Sequence, residues 1–165
     1  MKFFLDIDGV LVHANPHKPV DLEPDGFYKF NQIAVNILNS VLYETKDEVI
    51  LSTSHRFRYD IVRWKEIFSS RGIKMNNISI IETSTSSDIR TDRKTEIEHW
   101  INENQIESSD VVIIDDDKSL NDLPKDLKER LVLTNPYTGL NDITDLTSIL
   151  KRRLKQKFLE VESAK

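Results

Sequence analysis

Asp6 and Asp8 stand two residues apart in the stretch Phe3-Phe4-Leu5-Asp6-Ile7-Asp8-Gly9-Val10, directly after an apolar run and before a glycine. Two ionised carboxylates at the end of a buried strand repel each other and lose hydration, so folding alone selects against them. A helix or turn cap needs only one acidic side chain. A divalent cation bridging the pair removes the objection, and Mg²⁺ prefers carboxylate oxygens. The spacing therefore points to a metal-assisted reaction on an anionic substrate.

Three further stretches place related chemistry at strand ends. Thr53, flanked by Ser52 and Ser54, follows the apolar run Val49-Ile50-Leu51. Lys94 opens a helix after the third strand, where the helix dipole disfavours a cation, so its position reads as functional. Asp115, Asp116 and Asp117 follow Val111-Val112-Ile113-Ile114. Together these residues supply a carboxylate nucleophile, a second carboxylate for proton transfer, a hydroxyl for phosphate oxygens, a cation and metal ligands. That combination is suited to phosphoryl transfer.

The elements that must position them alternate between strand and helix patterns, which predicts a doubly wound, Rossmann-like α/β fold with a parallel five-stranded sheet. Strands are predicted at 2–6, 49–51, 78–81, 111–114 and 131–133. Helices are predicted from Phe27 through Leu42, from Ile61 to a stop at Gly72, around Ile97, Trp100 and Ile101, and from Leu146 through Phe158. In open parallel sheets, ligands bind outside the carboxyl ends of the strands. That rule gathers the scattered motifs into one crevice.

The 165 residues fit one domain, expected over about 1–160, with a small flap at about 10–26 and no large cap domain. Hydrophobic residues at 38% and charged residues at 31% describe a soluble globular chain. No apolar stretch is long enough to span a bilayer, and the N-terminus has no signal-peptide layout, so a cytoplasmic location is expected. The absence of cysteine excludes disulfides, thiolate zinc sites and cysteine nucleophiles. A net charge of −5 argues against broad nucleic-acid binding but not against capture of one phosphate at a metal site.

On these residues the chain resembles the haloacid dehalogenase-like (HAD) phosphatases. Four motifs carry the resemblance: Asp6-Ile7-Asp8-Gly9-Val10, the strand end Ile50-Leu51-Ser52-Thr53-Ser54, Lys94, and Ile113-Ile114-Asp115-Asp116. Two more stretches are similar to the small HAD domains of Swiss Army Knife RNA repair proteins. One is Ser52-Thr53-Ser54-His55-Arg56, with His55 where that group often has tryptophan, and the other is Asn135-Pro136-Tyr137-Thr138-Gly139-Leu140.

The resemblance implies a Mg²⁺-dependent phosphatase in which Asp6 attacks phosphorus and forms an aspartyl-phosphate. Asp8 serves as general acid and then general base. Asp6, the carbonyl of Asp8, Asp115 and Asp116 form the metal site. Thr53, Ser54, Arg56 and Lys94 contact the phosphate, with Ser52 an alternative to Thr53. A capless site is open, so the implied substrates are RNA or DNA ends or nucleotides, with small metabolites or phosphoproteins as the alternative. A non-catalytic module that binds a phosphorylated ligand, and a receiver-like signalling domain, are further readings.

Other residues have plainer readings. Asp117 is expected to cap the following turn. His55, Arg56 and Arg58 either grip a second phosphate or are ordinary surface residues. Arg90 and Arg93 read as a solvated face, as do Lys151, Arg152, Arg153, Lys155 and Lys157, although the latter run could steer nucleic acid. His13 and His17 belong to the flap, and Trp64 and Trp100 to the core.

Overall fold

The computed structural model describes residues 1–82 and 91–164, except for the side chains of 155–158 and 161. Arg90 and the side chains of Lys155, Lys157 and Phe158 therefore lie outside the described residues. Five strands, β1 (Lys2–Leu5), β2 (Glu48–Leu51), β3 (Asn77–Ile80), β4 (Val111–Asp115) and β5 (Leu131–Leu133), form one sheet in the order β3-β2-β1-β4-β5. Every pairing is parallel. The strand order reverses direction at β1, so the carboxyl ends of β1, β2 and β4 flank one crevice.

Alternation along the strands divides the core between the two faces. Phe3, Leu5, Val49, Leu51, Val112 and Ile114 pack on one side against the helices α1 (Gln32–Val41) and α2 (Ile61–Ser70) and the later helix α5 (Thr144–Ile149). Phe4, Ile50, Val111 and Ile113 pack on the other side against Ile97 and Ile101 of α3 (Arg93–Glu103) and Leu127 of α4 (Lys125–Lys128). Trp64 is fully buried, and Trp100 meets Phe4 edge-on with ring centroids 5.3 Å apart. Both tryptophans belong to the core.

Two helices differ from the sequence expectation. The first begins at Gln32, not at Phe27, because the Asn31 side chain accepts a hydrogen bond from the Ile33 N–H and caps the helix there. Phe27 and Phe30 are buried from the preceding loop, where Leu22 and Tyr28 form an isolated antiparallel bridge. The last helix is divided at buried Leu150 into α5 and α6 (Lys151–Ser163). Within the basic run, Lys151 and Arg152 are exposed, but Arg153 turns inward to Asp47 and the Val41 carbonyl.

The loop between β1 and α1 is fastened to α2 by Arg71, the residue that ends that helix. Its guanidinium donates to both carboxylate oxygens of Asp25, at 2.6 and 2.8 Å, and to the Tyr28 carbonyl at 2.8 Å. These bonds hold the Asp25 carboxyl well below the usual carboxylate range. Arg71 itself is buried. Removing the buried guanidinium leaves the partly buried Asp25 carboxylate and the Tyr28 carbonyl without their donor. Arg71→Ala is expected to lower unfolding free energy by about 3 kcal/mol, measured by urea denaturation at pH 7.

Candidate active site

The site grows out of the turn after β1. The Asp6 N–H donates to the Ile114 carbonyl of β4, so the first aspartate still belongs to the sheet edge. The Ile7 carbonyl then accepts from the N–H groups of Val10, Leu11 and Val12, which winds the chain into a tight turn carrying Asp8. Gly9 makes that turn possible twice over. Its φ is +78°, and a Cβ there would stand 2.1 Å from an Asp116 carboxylate oxygen. The chain from Thr134 to Leu140 clamps the same turn from outside. Thr134 Oγ1 donates to the Gly9 carbonyl at 2.6 Å, and the Leu140 N–H donates to the Val10 carbonyl at 2.8 Å.

Asp6, Asp115 and Asp116 each offer a carboxylate oxygen, and these oxygens all lie within 4.8 Å of one another. Asp6 and Asp115 are buried, and Asp116 is partly so. Burial pushes the Asp6 carboxyl up to about 6, against the opposing pull of Arg93. Burial and the Asp6 charge push Asp115 up to about 7. Three oxygen donors this close, poorly hydrated and mutually repelling, suit a hard divalent cation.

Arg93 supplies the fixed countercharge. One guanidinium nitrogen lies 2.5 Å from Asp115 Oδ2 and 3.5 Å from Asp6 Oδ2, and the side chain is only 12% exposed. The Asp92 side chain caps α3 by accepting from the Thr95 N–H, which makes Arg93 the first residue of the helix. Glu96, one turn on, receives Arg56 at 2.9 Å and faces Arg93 at 3.7 Å.

A family model described as the HAD domain in Swiss Army Knife RNA repair proteins matches residues 3–144. The chain belongs to this family of HAD phosphatase domains. Among solved structures, the chain is similar to the cobalt-bound deoxy-D-mannose-octulosonate 8-phosphate phosphatase of Haemophilus influenzae. The two are 15% identical, the match covers 91% of this chain and 86% of that one, and the TM-score is 0.43. No curated protein matches.

The HAD frame shows which expected residues converge. Asp6, Asp8, Thr53, Asp115 and Asp116 lie at the carboxyl ends of β1, β2 and β4. Ser52 and Thr53 are both fully buried. The Ser52 hydroxyl faces Asp115 Oδ2 at 3.4 Å, and Thr53 Oγ1 accepts from the His55 N–H at 3.2 Å. Ser54 is exposed beside them. Asp117 caps the next turn as expected, accepting from the Ser119 N–H at 2.9 Å.

Four positions depart from the sequence reading. Arg56, expected on the phosphate, is buried, and its guanidinium donates to the Ile81 and Thr53 carbonyls and to Glu96. Carbonyls just past the ends of β2 and β3 have left the sheet ladder, and Arg56 satisfies them. Lys94 points its Nζ to Glu98, at 3.2 Å, while Arg93, expected on a solvated face, reaches the carboxylates. His55 turns its Nε2 to Asp8 Oδ2, at 2.6 Å, instead of outward to a second phosphate.

Helical spacing explains the exchange of roles between Arg93 and Lys94. Arg93, Glu96 and Ile97 share a face because they are three and four residues apart, and Ile97 is buried against the sheet. Lys94 and Glu98 share the neighbouring, wetter face. The capping pattern of Asp92 and the buried pair Ile97 and Ile101 were the signals that point Arg93 inward.

Raised carboxyl pKa values set the sign of a pH effect. The folded protein holds protons on Asp6 and Asp115 at pH values where the unfolded chain, near 3.8, has released them. Their contribution to metal-free stability is full below about pH 4 and lost as pH rises through about 6 to 7. A divalent cation must displace those protons to bind. Titration calorimetry with Mg²⁺ in buffers of different ionisation enthalpy is expected to show proton release at pH 6 that shrinks toward pH 8.

Proposed function

We propose that the protein is a Mg²⁺-dependent phosphomonoesterase that works through an aspartyl-phosphate on Asp6 and acts on polynucleotide ends or nucleotides. The observation that carries this reading is the trio Asp6, Asp115 and Asp116, the first two buried, with its oxygens within 4.8 Å, next to Asp8 in the adjoining turn. Among the side chains of the site, Asp6 is the nucleophile, its carboxylate attacking phosphorus as the bond to the leaving oxygen breaks. Asp8 donates a proton to that oxygen and then takes one from the water that hydrolyses the intermediate. The Thr53 hydroxyl donates to a phosphoryl oxygen, with Ser54 beside it.

Asp6, Asp115, Asp116 and the Asp8 carbonyl would hold Mg²⁺, which supplies neutralisation of charge on the phosphoryl oxygens. Arg93 shares that task from the protein side, because its guanidinium already stands between Asp115 and Asp6. Lys94, the next residue along but on the neighbouring helical face and paired with Glu98, stands further from the carboxylates. Support for polynucleotide ends comes from the family, whose members are described by their place in RNA repair proteins. The shortness of the flap agrees with it, since an open crevice admits a chain terminus more readily than it encloses a small metabolite.

The test is phosphate release, with Mg²⁺ and with EDTA, from 3′- and 5′-phosphorylated RNA and DNA oligonucleotides, mononucleotides, sugar phosphates and p-nitrophenyl phosphate. Release is expected from oligonucleotide ends, abolished by EDTA and by Asp6→Asn. Preference for sugar phosphates would move the substrate to small metabolites. Mg²⁺-dependent ligand binding without any release would make the chain a binding module.

The two basic residues opening α3 are separable in the same assay. Arg93→Ala is expected to lower kcat by about a hundredfold, as loss of a charge-stabilising donor does, whereas Lys94→Ala lowers it by less than about tenfold.

A further inference from the structure

We infer that His55 is a positioning residue for the general acid: its imidazole holds one oxygen of Asp8 so that the other faces the leaving group. This rests on the phosphatase reading above. His55 Nε2 lies 2.6 Å from Asp8 Oδ2, within hydrogen-bonding distance. The two residues are 47 apart in sequence, so local turn geometry does not impose the contact. Asp8 sits in a turn at the mouth of the crevice, its side chain 35% exposed and that of His55 23% exposed. A carboxyl group in such a place turns freely about its side-chain bonds unless something selects one rotamer.

The imidazole is itself held. Its backbone N–H donates to Thr53 Oγ1 at 3.2 Å, which ties it to the end of β2. Its ring meets Phe27 edge-on at 5.8 Å and Tyr28 edge-on at 5.5 Å. Phe27 is buried against Tyr59 and Trp64, and Trp64 Nε1 donates to the Arg56 carbonyl next to His55. The chain of contact runs from the aromatic cluster under the flap, through the imidazole, to the carboxyl group. An acid is effective only when its proton lies within hydrogen-bonding reach of the leaving oxygen.

In the tautomer with the proton on Nε2, Oδ2 accepts from His55, and Oδ1 is the oxygen left free to carry the transferable proton. In the first step a carboxylate oxygen of Asp6 forms a bond to phosphorus, and the bond from phosphorus to the leaving oxygen breaks, its electron pair staying on that oxygen. The Oδ1–H proton of Asp8 passes to the same oxygen. In the second step the water oxygen bonds to phosphorus as the bond from phosphorus to Asp6 breaks, returning the Asp6 carboxylate, and Oδ1 takes the proton that the water gives up. His55 gains and loses nothing in either step. Its role is to fix which oxygen does the work.

Such a role is visible through the leaving group. A ribose 5′-phosphomonoester expels a strongly basic alkoxide and needs the acid, whereas p-nitrophenyl phosphate expels a weakly basic phenolate and does not. His55→Phe keeps a ring between Phe27 and Tyr28 while removing the nitrogen. It is expected to lower kcat/KM, which reads only the step that expels the leaving group, by about tenfold to a hundredfold on AMP and by less than about threefold on p-nitrophenyl phosphate. His55→Gln, whose side-chain amide can donate in place of Nε2–H, restores most of the loss on AMP. In an Asp8→Asn background His55→Phe has no further effect. Equal losses on both esters, or a loss that persists with Asp8→Asn, overturn the inference and leave the phosphatase standing. Wild-type protein that releases phosphate from neither ester nor from end-phosphorylated oligonucleotides overturns the phosphatase reading and this inference together.

Discussion

Three carboxylates crowd the carboxyl ends of two adjacent strands, and much of the surrounding structure serves to keep them there. Asp6 leaves β1 still bonded to the neighbouring strand, and Asp115 closes β4 fully buried, so neither can retreat to water. Burial raises both carboxyl groups, and Arg93 offsets only part of their repulsion. The remainder is an unmet demand for positive charge. A divalent cation, as proposed above, would meet that demand.

Two frames meet at this cluster. On one side, capped α3 presents Arg93, and Glu96 spaces it from Arg56, which in turn ties together the carbonyls beyond β2 and β3. This puts the groups after three strands into one hydrogen-bonded network. On the other side, the turn carrying Asp8 is pinned by Thr134 and Leu140, and its loop is pinned to α2 by Arg71. The flap is short, yet it is fastened at both ends. Its aromatic root, Phe27 and Tyr28, reaches the reacting carboxyl group through one imidazole.

The sheet was legible in the chain because continuous apolar runs bounded by polar turns leave few alternatives for buried parallel strands. The acidic strand ends were legible because burying paired carboxylates has no structural justification. Helix starts were less so. Phe27 and Phe30 fall at helical spacing relative to Ile37 and Leu38, but that periodicity does not distinguish a loop that buries aromatic rings from a helix that does. The choice between Arg93 and Lys94 turned on one helical step, about a hundred degrees of rotation, that only the Asp92 cap fixes. Arg56 and His55 were misread for a common reason. Basic residues beside a phosphate-binding strand end suggest an anionic ligand, yet both find their partners within the protein, through contacts spanning 25 to 47 residues that spacing does not reveal.

The clamp on the Asp8 turn joins residues far apart in the chain: Thr134 and Gly9 are 125 positions apart. Synthesis runs from the N-terminus, so Asp6 and Asp8 leave the ribosome long before Thr134 and Leu140 are made. The turn that carries the two acids takes its clamped shape only after β5 and the following turn have docked.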